Sequence, residues 1–278
     1  NVKCTPRFGY CKNSKRFVPI RLFDIPGLIE GSHQGAGLGL EFLNDVAQAD
    51  ALIHIIDAAG ATNAKGEPVN PGSYDPANDI KFLEYELDMW YLSILKKGWG
   101  KLSRTIQQEN LDIRKVLAKQ LSGLKVTEEM IKEAVKNLPE NPTQWSENEL
   151  LSLASYLRKK SKPMIIAANK IDVKEAQQNI ERLKKEFPQY KIIPCSADSE
   201  LALREASKKD LIEYTAGDND FKIIKGLNDQ QAKALNYIKE NVLKKYGSTG
   251  IQEILDYSVF DLLKYIAVFP AGVSKLAD

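Results

Sequence analysis

Three short apolar runs of this chain each end in a polar motif, and that arrangement constrains the fold more than any other feature. Pro163-Met164-Ile165-Ile166-Ala167-Ala168 leads into Asn169-Lys170-Ile171-Asp172. Phe17-Val18-Pro19-Ile20-Arg21-Leu22-Phe23 leads into Asp24-Ile25-Pro26-Gly27, and Ile192-Ile193-Pro194 into Cys195-Ser196-Ala197. Runs of this length, β-branched and bounded by turn and helix signals, read as buried strands. Ala51-Leu52-Ile53-His54-Ile55-Ile56-Asp57 is a further one. Between them Ile80, Leu83, Leu87, Tyr91 and Leu95 recur on one helical face. Strands that alternate with helices call for an α/β fold, a mainly parallel sheet flanked by helices on both faces. The polar motifs then line the carboxyl edge of the sheet, where ligands bind in open α/β folds.

Asn169-Lys170-Ile171-Asp172 resembles the guanine-recognition element of P-loop GTPases, and the chemistry explains the residue types. The Asp172 carboxylate can accept two hydrogen bonds, from N1–H and the exocyclic amine of guanine. Adenine offers neither donor, and a site built this way rejects such an analogue by roughly 10⁴-fold. Lys170 can lay its apolar stem across the purine face while its head stays solvated. Asn169 can tie neighbouring loops together. The same resemblance implies that Asp24 of Asp-x-x-Gly would hold Mg²⁺ through a water and that the Gly27 backbone N–H would sense the γ-phosphate. Glycine permits the close approach and the swing when phosphate leaves. The N–H groups of Ser196-Ala197 are expected to meet the guanine O6.

The chain further resembles an Obg-related GTPase of the YchF branch, the Obg-like ATPase group, in an archaeal-type version. The resemblance rests on Asp24 to Gly27, on the spaced glycines of 28–39 (a switch II segment), on Phe42-Leu43-Asn44-Asp45, on the 51–57 strand and on Val259-Phe260-Asp261-Leu262-Leu263. Three departures matter. No Gly-x-x-x-x-Gly-Lys-[Ser/Thr] loop occurs in the sequence, so the phosphate cradle and a switch I Thr are expected upstream of residue 1. A β-rich TGS domain is expected beyond residue 278. Many YchF relatives have lost Asn-Lys-x-Asp and prefer ATP, whereas this chain keeps it, which argues for GTP. No catalytic residue stands out: Gly27 and Leu28 are the switch II candidates. Leu28 occupies the position where Ras-like enzymes carry a water-orienting Gln. An apolar side chain there packs and cannot orient water, so slow intrinsic turnover follows.

The helical pattern breaks at Gly98-Trp99-Gly100. Residues 98–145 then read as an inserted α-helical subdomain, a hairpin with one apolar stripe over 102–124 and a second over 130–138 after the N-cap candidate Thr127. The expected division is G domain over 1–97, insertion over 98–145 and G domain again over 146–278, opened by the capping box Ser146-x-x-Glu149. Residues 57–78, rich in Gly, Pro, Asn and Asp, read as a long surface loop. Helices are expected near 174–187, 199–208, 229–245 and 249–265, and a strand over 191–195.

Composition sets outer limits. The formal charge is +2, from 39 Lys+Arg against 37 Asp+Glu, which argues against a DNA binder driven by overall charge. No run reaches the roughly 20 apolar residues of a membrane span. The three cysteines, Cys4, Cys11 and Cys195, fit reduced cytosolic thiols better than a disulfide framework. With only His33 and His54 to accompany them, a zinc site is not expected, and His54 reads as a satisfied core residue. The resemblance implies GTP hydrolysis to GDP and phosphate with Mg²⁺, in a cytoplasmic switch associated with ribosomes or translation. The alternatives are an ATPase of the same family, or a nucleotide-free interaction module should residue 1 be the true start.

Overall fold

A computed structural model describes residues 8–12, 15–25, 31, 45–266 and 268. Gly27, Leu28, His33, Cys4 and most of the expected switch II segment lie outside the described residues. The chain divides into two compact units, one of residues 1–22, 53–76 and 165–278, the other of 23–52 and 77–164.

The first unit is built on a sheet of order β3-β4-β5, with β3 at Leu52–Asp57, β4 at Met164–Asn169 and β5 at Ile192–Pro194. β4 and β5 run parallel, pairing Ile166 with Ile192 and Ala168 with Pro194. Leu52 N–H donates to Pro163 O and Ala58 N–H to Asn169 O, so β3 advances alongside β4 in the same direction. β4 is the central strand and is buried from Met164 to Ala168, as the unbroken apolar run requires. On one face Ile165, Ala167, Ile193 and Cys195 meet Ile254, with Ile251, Tyr257 and Leu262 packed behind.

After β4 come α6 (Ala176–Glu186) and, after β5, α7 (Ala197–Lys208). The small antiparallel pair β6 (Ile212–Glu213) and β7 (Lys222–Ile223) follows. Next is α8 (Asp229–Ile238), which passes through a π-helical turn at Lys239–Leu243 before ending at Tyr246. Finally α9 (Ile251–Asp256) runs on as a second π-helical segment, Tyr257–Leu262.

One expected strand is not there. β1 (Tyr10–Lys12) and β2 (Lys15–Phe17) form a hairpin in which Tyr10 and Phe17 stack at 4.7 Å, but 18–25 has no regular structure. Val18, Ile20 and Leu22 are 48%, 40% and 62% exposed. No strand among the described residues pairs with them, and Pro19 offers no N–H to a ladder. Apolar composition alone does not make a strand; a hydrogen-bonding neighbour does.

The second unit centres on α1 (Ala77–Lys96) packed against α5 (Glu147–Ser161). Ile80, Leu87, Tyr91 and Leu95 are fully buried, and the Tyr91 hydroxyl lies 2.8 Å from Ser161 Oγ. Arg158, 1% exposed, donates through Nε to Asp88 at 2.7 Å. A buried guanidinium of this kind is tolerated because it is paired. Residues 98–145 are helical as expected but are not a two-helix hairpin. They form α2 (Trp99–Gln108), α3 (Ile113–Gln120) and α4 (Glu128–Ala134). The breaks fall at Asn110 and Lys125, both at positive φ, where a right-handed helix cannot continue. Asp112 and Thr127 cap the helices that follow, and Trp99 stacks on Trp145 at 5.2 Å. The capping box of Ser146 and Glu149 is complete in both directions. The compact unit extends over 77–164, enclosing the insertion together with α1 and α5.

Candidate functional site

The carboxyl ends of β4 and β5 lie side by side because the strands are parallel neighbours, and this brings Asn169, Lys170, Asp172, Ser196 and Ala197 together. Ser196 caps α7 and is 1% exposed. Its hydroxyl donates to Asp172 Oδ1 at 2.9 Å and lies 2.8 Å from Ser199 Oγ. Among the described residues the other oxygen of the Asp172 carboxylate has no protein partner, and Asp172 is only half-buried. One side of the carboxylate is therefore fixed while the other is open to a donor. Asn169 joins the two loops, its Oδ1 accepting from Ala197 N–H at 3.0 Å.

The N–H groups expected to meet a purine O6 are engaged within the protein. Ala197 N–H goes to Asn169 and Ser196 N–H to Thr249 O at 2.9 Å. For either to serve a ligand, its present acceptor has to let go; the Asn169 amide can do so by rotating.

Lys170 also differs from expectation. Its head is not free in solvent but donates to Asp57 Oδ2 at 2.8 Å and to Thr62 Oγ1 at 3.0 Å. Asp57, at the end of β3, accepts in addition from Ala59 N–H, Ala61 N–H and Thr62 Oγ1 at 2.7–3.1 Å. One carboxylate thus folds the start of the 57–76 loop and anchors the lysine. The Lys170 side chain as a whole stays 38% exposed, so it is not sealed away from a ligand. Sequence reading missed Asp57, although an Asp opening a Gly-rich loop commonly caps it.

Asp24 is exposed, and among the described residues its carboxylate has no protein partner. No group of three or more His, Cys, Asp or Glu residues among those described could hold a metal. Cys195 is buried beneath the site, and burial pushes its thiol up to about 12, so it is an inert packing residue. His54 on β3 is pushed down to about 4 by burial. The side chain as a whole is only partly buried, but its Nδ1 is sealed from solvent with no hydrogen-bond partner among the described residues, so it is not a satisfied histidine.

A parallel sheet whose carboxyl edge sets Asn-Lys-x-Asp against a Ser-Ala helix cap defines the fold of a P-loop GTPase-type domain. Comparison with known proteins agrees. Residues 167–272 match the family described as Obg-like GTPase YGR210-like, G4 motif-containing domain, and residues 5–86 match 50S ribosome-binding GTPase. An uncharacterised GTP-binding protein of Methanocaldococcus jannaschii is 50% identical over 100% of this chain and 70% of its own length. One from Schizosaccharomyces pombe is 32% identical over 96% of this chain and 67% of its own. The crystal structure of a GTP-binding protein from Pyrococcus horikoshii OT3 is 37% identical, with a TM-score of 0.76, over 100% of this chain and 72% of that one. The chain belongs to the family of Obg-like GTP-binding proteins.

Proposed function

We propose that this chain is the base-reading portion of a GTPase that hydrolyses GTP to GDP and phosphate, working as a cytoplasmic switch on ribosomes or in translation. The observation that carries the base-reading part is the half-satisfied carboxylate of Asp172. One oxygen is oriented by Ser196 Oγ at 2.9 Å, while the other has no protein partner among the described residues on a half-buried side chain. Guanine presents two N–H donors on one edge, and a carboxylate pre-oriented by a protein donor meets them without further ordering cost. Adenine would leave the second oxygen of the same carboxylate desolvated without a donor.

Mg²⁺ is a reasonable companion. That ion keeps most of its waters and takes one or two carboxylates plus substrate phosphates, so an exposed carboxylate at Asp24 with no protein partner among the described residues fits it. When bound it would neutralise charge on the phosphates. Gly27 would sense the γ-phosphate, and Leu28 would leave the attacking water unoriented. The ribosomal setting is supported by the 50S ribosome-binding description matched over residues 5–86.

The test is nucleotide affinity by competition, GTP against ATP, for the full-length parent and for Asp172→Ala. The proposal expects the parent to prefer GTP, and the substitution to weaken GTP by about 10²-fold while leaving ATP nearly unchanged. Equal affinity for both nucleotides, untouched by the substitution, overturns the guanine-reading proposal.

A further inference from the structure

Beyond the loops that carry the motifs, the segment after the sheet reaches back to them from behind at two points. The Tyr237 hydroxyl, on α8, donates to the backbone carbonyl of Asp172 at 3.0 Å. The carbonyl of Thr249 accepts the Ser196 N–H at 2.9 Å. Thr249 itself is fully buried, and its hydroxyl donates at 2.6 Å to Glu200 Oε2, which also accepts from the Tyr214 hydroxyl at 2.7 Å. Glu200 stands in the first turn of α7, whose cap is Ser196. The contacts therefore close a ring from Ser196 to Thr249, to Glu200, and along one helical turn back to Ser196.

We propose that Tyr237 and Thr249 are positioning residues for base recognition, which set the Asp172 carboxylate and the Ser196 hydroxyl against each other so that both guanine N–H donors are met at once. The inference rests on the base-reading proposal above and deepens it. Local geometry supports it in two further ways. Gly250 follows Thr249 at a φ of +80°, and a Cβ there would lie 2.0 Å from Pro194 O. Glycine is what lets the Thr249 carbonyl come within reach of the Ser196 N–H. Tyr237 is 48% exposed, with water at hand, yet its hydroxyl is held on a loop carbonyl. A π-helical turn begins at the second residue after Tyr237, a feature that often marks functional positions in helices.

A positioning role is separable from simple stabilisation by the choice of ligands. Inosine lacks the exocyclic amine of guanine, so a misplaced carboxylate loses its two-point contact with GDP and keeps most of its one-point contact with IDP. General destabilisation weakens both alike. GDP and IDP affinities are measured for the full-length parent, Tyr237→Phe, Thr249→Val and Thr249→Ser, with thermal melts of each. The expectation is that Tyr237→Phe and Thr249→Val lower GDP affinity by about three- to tenfold. The GDP-to-IDP ratio should fall in step, and Thr249→Ser should restore the parent ratio. Should Thr249→Val fail to fold, Tyr237→Phe, at a half-exposed site, decides the matter alone. A parent that does not discriminate GDP from IDP overturns the base-reading proposal. A parent that does discriminate, with an unchanged ratio in Tyr237→Phe, overturns this inference and leaves that proposal standing.

Discussion

Two apolar runs of this chain carry the same signal and meet different fates. Both 17–23 and 163–168 are β-branched, both contain proline, and both end in an Asx motif. The second is the buried central strand β4, paired on both sides, and its terminal loop is fastened by Asn169, Lys170 and Asp172. The first closes β2 at Phe17 and then runs on without regular structure, with Val18, Ile20 and Leu22 all at least 40% exposed. The difference is the neighbour. A strand's backbone groups need partners along their whole length, and β4 lies between β3 and β5, whereas no strand among the described residues pairs with 18–24. Motif geometry follows pairing: the ends of β4 and β5 form one surface because their ladder puts them abreast.

The largest way to break this comparison is to truncate one side chain in each run. Ile166 is fully buried in β4, and Ile166→Ala should lower stability by about 3 kcal/mol through lost burial and the cavity left behind. Ile20 is 40% exposed, and Ile20→Ala should cost under about 1 kcal/mol. Urea unfolding midpoints of the two variants check this. Equal losses would mean that 18–24 is as firmly buried in solution as β4.

A second effect sharpens the picture of the sheet. The folded-state value of His54, about 4, lies below that of an unfolded histidine. Between the two values the unfolded chain binds the extra proton, so stability falls as pH drops through that window and is fully present above it. From pH 7 to pH 5 the loss should be about 2 kcal/mol. His54→Leu should remove most of it. A variant with the parent's pH slope in urea denaturation would show that β3 is open to water at this position.

The legible parts of the molecule were the local ones. The 51–57, 163–168 and 191–195 strands, the Thr127 cap, the Ser146–Glu149 capping box and the α1 face announce themselves in windows shorter than a helix. The split of 98–145 into three helices was within reach too, since Asn110 is the residue type that tolerates positive φ. What could not be read was long-range. Lys170 finds Asp57 across 113 positions, and Tyr237 finds Asp172 across 65. Likewise the absence of regular structure over 18–24 is a statement about neighbouring strands, which no window of sequence contains. The candidate site motifs can be proposed from sequence because their chemistry is written in adjacent residues; the groups that hold them in place cannot, because theirs is not.

The smallest expected change in stability concerns the loop that ends β4, and it separates holding a ligand from holding the fold. Lys170 sits at a φ of +66°, a left-handed conformation that costs an L-residue about 1 kcal/mol and costs glycine almost nothing. Its ion pair with Asp57 is 38% exposed on the lysine side, so its contribution is at most about 1 kcal/mol. Without Lys170, Asp57 would still accept from Ala59, Ala61 and Thr62. Relief of strain and loss of the pair therefore nearly cancel, and Lys170→Gly should shift unfolding by no more than about 1 kcal/mol. The same substitution removes the stem proposed to lie on the purine face, and should weaken GDP by about tenfold, as expected for roughly two methylenes no longer covered. A strained residue that can be relaxed at no cost to the fold but at a cost to binding is strain kept for function. A loss of about 3 kcal/mol or more in unfolding with no change in GDP affinity would instead make Lys170 part of the scaffold.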